Sequence, residues 1–276
     1  MRCAGKNPRS PASDVVFVEA GLMMAHLDFD ISRLSVWLVT HLGAGYATKN
    51  ATKFLGGQSN PTYRVETGEG SVVLRRKPFG PLLPSAHAIE REFRLLSALS
   101  PIGFPVPKPL GLCDDPEVIG APFYIMAMVA GETFWQPMLP ELIPERQRAL
   151  YHSAIDTLAQ LHLIDPATVG LENFGKPTDF FARQVNLWIK QYRAAQTDEI
   201  DEMERLIAWL PATLPSGCSV SIVHGDYRLD NLMFEPGASE IWAIIDWELA
   251  TLGDPLADFT YFLMRSEEHT SELQSH

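Results

Sequence analysis

Val223-His-Gly-Asp-Tyr-Arg-Leu-Asp-Asn-Leu-Met-Phe234 sets an acid, Asp226, and a carboxamide, Asn231, in a loop between two apolar β-rich runs. Asp226 sits where the first strand ends and Asn231 where the next begins. That pair suits phosphoryl transfer: the carboxylate accepts or orients the proton of an acceptor hydroxyl, and the amide oxygen helps to hold Mg²⁺. A second anchor follows at Ile244-Ile-Asp246-Trp-Glu248, an acid directly after a buried strand, placed to bridge a metal to phosphates. The third is Gly253-Asp-Pro-Leu-Ala-Asp258. Asp and Asn are common in loops for their turn chemistry alone. The weight lies in the order of the three anchors with strands between them.

Working outward, the segments on either side divide into two kinds. From Phe29 to His41 apolar residues recur at helical spacing. Lys53 to Glu66 reads as strand, Gly-rich turn and strand. Gly68-Glu-Gly70 makes the next turn, and Ser71 to Arg75 is a further strand. Ser85 is a candidate N-cap for a helix ending at Leu99. A proline-punctuated connector from Pro101 to Pro109 leads to an apolar strand, Phe123 to Val129. Beyond it the pattern is mostly helical, with helices expected over Pro144–His162, Thr178–Ala195 and Asp198–Leu210. The expected class is α+β in two lobes: a small β-rich lobe over 25–126 and a larger helical lobe over 127–264, with the site in the cleft between them.

Composition narrows the function. With 22 Lys+Arg against 34 Asp+Glu the formal charge is −12, which disfavours nucleic acid and anionic membranes as partners. No apolar run approaches the roughly 18 residues of a membrane span. Cys3, Cys113 and Cys218 are too scattered for a disulfide framework, so a reducing, cytoplasmic setting is expected. Residues 1–24 read as a loose tail or as translation begun upstream of a start at Met23 or Met24. At the other end, RSEEHTSELQSH (265–276) matches the translation of a common short-read sequencing adaptor. The expectation is a natural sequence cut after Met264, with Phe259, Tyr261, Phe262, Leu263 and Met264 presenting apolar surface.

HGDYRLDN, IIDWE and GDPLAD together resemble the aminoglycoside phosphotransferase superfamily, small-molecule kinases with a protein-kinase-like fold. The resemblance covers roughly residues 50 to 264 and includes FLGGQSNPTYRV, VVLRRKP and PVPKPLGL. RRKPFGPLLPSAHAIEREF is more particular: it is similar to the kinase-like domain fused to acyl-CoA dehydrogenases in some animals, and to free-standing bacterial relatives. The resemblance implies ATP, Mg²⁺ and a small-molecule hydroxyl acceptor. It implies Asp226 as catalytic base, with Asn231 and Asp246 as metal ligands.

Family members mostly carry a Lys on the third strand to anchor the nucleotide, and Val72-Val-Leu-Arg75 puts an Arg in that slot. Strand alternation sends Val73, Arg75 and Lys77 to one face and Arg76 to the other, so Arg75 is the expected anchor and Lys77 the reserve. Its acidic partner should lie on the following helix. Stepping about 100° per residue from Ile89 puts Glu92 near about 300°, inside the apolar arc, and Glu90 near about 100°, outside it. A carboxylate among core positions needs a cation, which selects Glu92. Gly56, Gly57, Gln58, Ser59 and Asn60 would form the flap over the phosphates. Ala127 to Val129 would offer backbone groups to adenine, with Met126 lining the pocket. His224, Asp254 and Asp258 are expected to brace the loops. His152 and His162 lack ligand partners at metal spacing, and Trp188 and Tyr192 are expected to pack in the core.

Three readings compete: a small-molecule kinase, a non-catalytic nucleotide-binding pseudokinase and a protein kinase. All three chemical residues are present, against the second. Only seven residues separate Asp246 from Asp254, too few for an extended activation segment. Among acceptors the fused-dehydrogenase resemblance favours a hydroxyacyl-CoA or hydroxy acid over an aminoglycoside or choline.

Overall fold

The computed structural model describes residues 27–54, 60–80, 88–215 and 219–272, with 265–272 as backbone. The expected flap residues Gly56, Gly57, Gln58 and Ser59, the Ser85 cap and the residue 1–24 tail lie outside these.

Helix α1 (Ile31–Leu42) starts at Asp30, whose carboxylate accepts from the Ser32 N–H at 2.8 Å. Five antiparallel strands follow: β1 (Asn50–Lys53), β2 (Thr62–Thr67), β3 (Gly70–Arg76), β4 (Pro109–Cys113) and β5 (Phe123–Ala127), in sheet order β1-β2-β3-β5-β4. Helix α2 (Ile89–Leu99) lies between β3 and β4 in sequence. It begins at Ile89 behind Ala88, with no side-chain cap. β4 was hidden in the proline-rich connector.

The two-residue period of the strands sorts their side chains between two environments. Tyr63, Val65, Val72, Leu74, Phe123 and Ile125 pack with Leu34, Trp37 and Leu38 of α1. The alternate set, Thr62, Val73, Arg75, Tyr124 and Met126, is in register across β2, β3 and β5 and lines the cleft. Arg76 goes to the α1 side, where it is buried, pairs with Asp28 and donates to the Tyr63 hydroxyl at 3.1 Å.

The large lobe is built on α3 (Pro144–Leu163), which buries Leu150, Ala154, Leu158 and Leu161 as one stripe. Then come α4 (Phe180–Ala195), α5 (Asp201–Trp209) and four short strands: β6 (Ser221–Val223), β7 (Leu232–Phe234), β8 (Ile241–Ile244) and β9 (Thr251–Gly253). β6 pairs with β9 and β7 with β8, both antiparallel. These two ribbons hold the loops that carry Asp226 and Asp246. The last helix, α6, spans Leu256–Glu272.

Two packing expectations are corrected. Trp188 is 65% exposed and Tyr192 only half-buried, so the pair is not core. α4 buries little beyond Phe180. On α6, Phe262 is buried against Tyr227 and Tyr151 and Tyr261 is half-buried, while Phe259, Leu263 and Met264 are exposed.

Candidate active site

A cleft of about 320 Å³ lies between the lobes, lined by Val73, Arg75, Tyr124, Met126, Ala127 and Val129 from one side and by Arg228, Asp230, Asn231, Ile245 and Asp246 from the other. Its size is within the range of small-molecule sites.

The loop after β6 is shaped from both ends. Gly225 has φ +86°, and a Cβ there would come within 2.8 Å of the Leu249 carbonyl oxygen, so this close approach requires glycine. Asp258 at the start of α6 accepts from the His224 N–H at 2.7 Å and the Gly225 N–H at 2.8 Å. The same carboxylate lies 3.2 Å from His162 Nε2. His224 is fully buried, its Nε2 donates to the Ile245 carbonyl at 3.0 Å and its Nδ1 accepts from the Asp226 N–H at 3.2 Å. Burial pulls its pKa below the ordinary value against the opposing charge of Asp258, which keeps the ring a neutral brace. Asp254 accepts from the Leu256 N–H at 2.9 Å and so opens α6.

Asp226 is thereby held beside the cleft residues Arg228 and Asn231, with its two oxygens in different company. Oδ2 accepts from Asn231 Nδ2 at 3.0 Å and from Arg228 Nε at 3.1 Å, while Oδ1 accepts from the Tyr261 hydroxyl at 2.8 Å. Arg228 also pairs with Asp230 at 2.9 Å. Asn231 spends its amide donors on Asp226, at the carboxylate and at the main-chain oxygen at 2.9 Å.

Asp246 follows β8 in the left-handed region at φ 64°, unusual for a residue with a Cβ. That turn carries Glu248 back toward the small lobe. Arg75 meets three acids at once: Glu92 at 3.0 Å, Asp246 at 2.7 Å and Glu248 at 3.3 Å. Tyr124 completes the cluster by donating to Glu92 at 2.8 Å. Lys77 instead pairs with Glu90 at 2.6 Å, at the periphery. Among the flap residues only Asn60 is described; it is buried and does not line the cleft.

Glu248, Arg228 and Tyr261 were not expected as site residues from the sequence, Tyr261 having been expected only to present apolar surface. Glu248 is two residues from an acid already singled out, but only the left-handed turn at Asp246 reveals its direction.

Burial pushes the Glu92 carboxyl up to about 7, although Arg75 foremost, then Tyr124, draw it down. The Arg75 guanidinium is desolvated as well, yet Glu92 and the other anions raise it, so it stays charged. A carboxyl raised in the fold contributes stability that is present below its ordinary value and lost as pH rises through the raised one. The stability lost on Glu92→Gln should therefore be larger at pH 5 than at pH 8, measured by urea unfolding of both proteins. A penalty that grows with pH would contradict this.

A small antiparallel-sheet lobe, a helical lobe, and Asn231 and Asp246 lining the cleft between them with Asp226 bonded to Asn231, define a kinase-like phosphotransferase architecture. The sequence matches the Phosphotransferase enzyme family over residues 50–275, and the chain belongs to that family. It is 51% identical over 209 residues to acyl-CoA dehydrogenase family member 10 of Mus musculus, covering 76% of this chain and 20% of that protein. A Ralstonia eutropha structure, assigned by its name to the aminoglycoside phosphotransferases, superposes with TM-score 0.76 at 41% identity over 86% of this chain and 70% of the other. The streptomycin–ATP–APH(2")-IIa complex shares the fold at TM-score 0.61 and 19% identity, over 91% and 84% of the two chains. The chain spans about a fifth to a third of the curated relatives it matches.

Proposed function

We propose that this chain is an ATP-dependent small-molecule kinase that transfers the γ-phosphoryl group to a hydroxyl of a hydroxyacyl-CoA or hydroxy acid. The observation that carries the reading is that Arg75, Asn231 and Asp246 line one cleft, with Asp226 bonded to the lining residues Asn231 and Arg228 and Glu92 paired to Arg75. Residues 25–126 serve as the nucleotide lobe and 127–264 as the catalytic lobe. Adenine lies against Met126, Ala127 and Val129, and Arg75 holds phosphate oxygens with its planar fork. The oxygen-only donor set of Asn231 and Asp246 fits a hard divalent cation. Mg²⁺ bound there supplies charge neutralisation on the phosphates.

The chain's own residues do the rest. Asp226 orients the acceptor hydroxyl and takes its proton as the oxygen attacks phosphorus. Arg228 and Asn231 hold Oδ2, so the carboxylate keeps one orientation during the transfer. The acceptor class is supported by the acyl-CoA dehydrogenase names of the relatives. Aminoglycosides are the second reading, supported by the name of the 41% identical structure. ATP consumption with hydroxyacyl-CoAs, hydroxy acids, aminoglycosides, choline and sugars tests both. Turnover should rise at least about tenfold above the acceptor-free rate with a hydroxyacyl compound or hydroxy acid. Selective turnover of aminoglycosides would favour the second reading, and no turnover with any acceptor would leave a pseudokinase.

A further inference from the structure

We infer that Tyr261 is a specificity residue that keeps water from being used as the phosphoryl acceptor. The inference rests on the kinase reading above and concerns the acceptor side of the same site.

Asp226 has two oxygens, and Oδ2 is committed to Asn231 and Arg228. The acceptor hydroxyl must then meet Oδ1, and there the Tyr261 hydroxyl already sits, donating at 2.8 Å. It is an O–H aimed at the base, which is the relation an acceptor hydroxyl needs. Its position is built rather than incidental. Asp258 shares a face of α6 with Tyr261, three residues on, and with Phe262, four residues on. Asp258 is buried and bonded to two main-chain N–H groups of the catalytic loop. Phe262 is buried with its ring 5.5 Å from that of Tyr227, inside the same loop. Tyr261 is next to both anchors on α6, and the helix they fix to the loop brings the phenol to Asp226.

Hydrolysis is the side reaction this prevents. In it a water oxygen attacks the γ-phosphorus, the bond to the ADP oxygen breaks, and the water proton passes to Asp226 and on to solvent. Water can do this only by reaching Oδ1. A bound acceptor displaces the phenol because its other contacts hold its hydroxyl there. A lone water has no such contacts and competes with a tethered donor. Selectivity against water thus comes from one hydrogen bond that the substrate breaks and the solvent does not.

The test is acceptor-free hydrolysis of Mg·ATP by the unmutated protein, Tyr261→Phe and Tyr261→Phe/Asp226→Asn. Tyr261→Phe keeps the ring and removes the hydroxyl. Its hydrolysis should rise about tenfold, the scale of one hydrogen bond, with KM for ATP within about twofold of the unmutated protein. The double variant should lose the excess. Tyr261→Leu, which also lacks the hydroxyl, should show the same rise and serves if the Phe variant does not fold. Hydrolysis that is unchanged or lower without the hydroxyl overturns the inference, as does an excess that survives loss of Asp226. If the unmutated protein phosphorylates an acceptor while Tyr261→Phe shows no excess, only the Tyr261 assignment falls. If no variant turns over ATP with or without an acceptor, the kinase reading falls and this inference with it.

Discussion

Asp226→Asn should lower phosphoryl transfer at least about 10²-fold while Mg·ATP still binds. The substitution keeps size and shape, and the amide oxygen can still accept from Asn231 or Arg228. What it removes is the group proposed to take the acceptor proton. Arg228 loses one of its two carboxylate partners, but its side chain is 30% exposed and keeps Asp230, so the fold should tolerate the change. The measurement is a turnover assay alongside a nucleotide titration and a melting curve. Transfer near the unmutated rate would take Asp226 out of the role of base. Loss of nucleotide binding would instead make it part of the ATP site.

Asp246→Ala should act on binding first. In the unmutated protein Mg²⁺ should tighten nucleotide affinity, and the variant should lose at least about tenfold of that gain, a conservative figure for removing a ligand. The carboxylate also bonds Arg75 at 2.7 Å, so two effects need separating. Arg75 keeps Glu92 and Glu248, which limits the cost of losing one anion. Titrating nucleotide with and without Mg²⁺ resolves them, because the metal effect appears only in the first series. An unmutated protein that binds nucleotide equally in both series would remove Asp246 and Asn231 from the metal.

Sequence reading succeeded where local pattern and function coincide. The strand-loop-strand around Asp226 and the two-residue period that aims Arg75 at the cleft were legible because each is set within about ten residues. The helical period was enough to choose Glu92 over Glu90, since the pairing follows from which face is buried. It failed where direction depends on distant chain. β9 is three residues long and forms only because β6 is there to pair with it. β4 starts at a proline inside a loop-like run and was hidden by it. Tyr261 reaches Asp226 from 35 residues away through the placement of α6. Trp188 misled because an aromatic at helical spacing looks the same whether or not another element covers it. Those contacts have no signature in any short window.

The close approach of Gly225 to Leu249 has a mechanical consequence. The Ile245 N–H also donates to the Asn231 carbonyl at 3.0 Å, and His224 spans to the Ile245 oxygen. The segments carrying Asp226 and Asp246 are thus bolted together at three points within the large lobe. A shift of the small lobe would therefore leave the spacing between Asp226, Asn231 and Asp246 unchanged. In the proposed kinase, such a shift would alter only how the donor meets a rigid receiving frame.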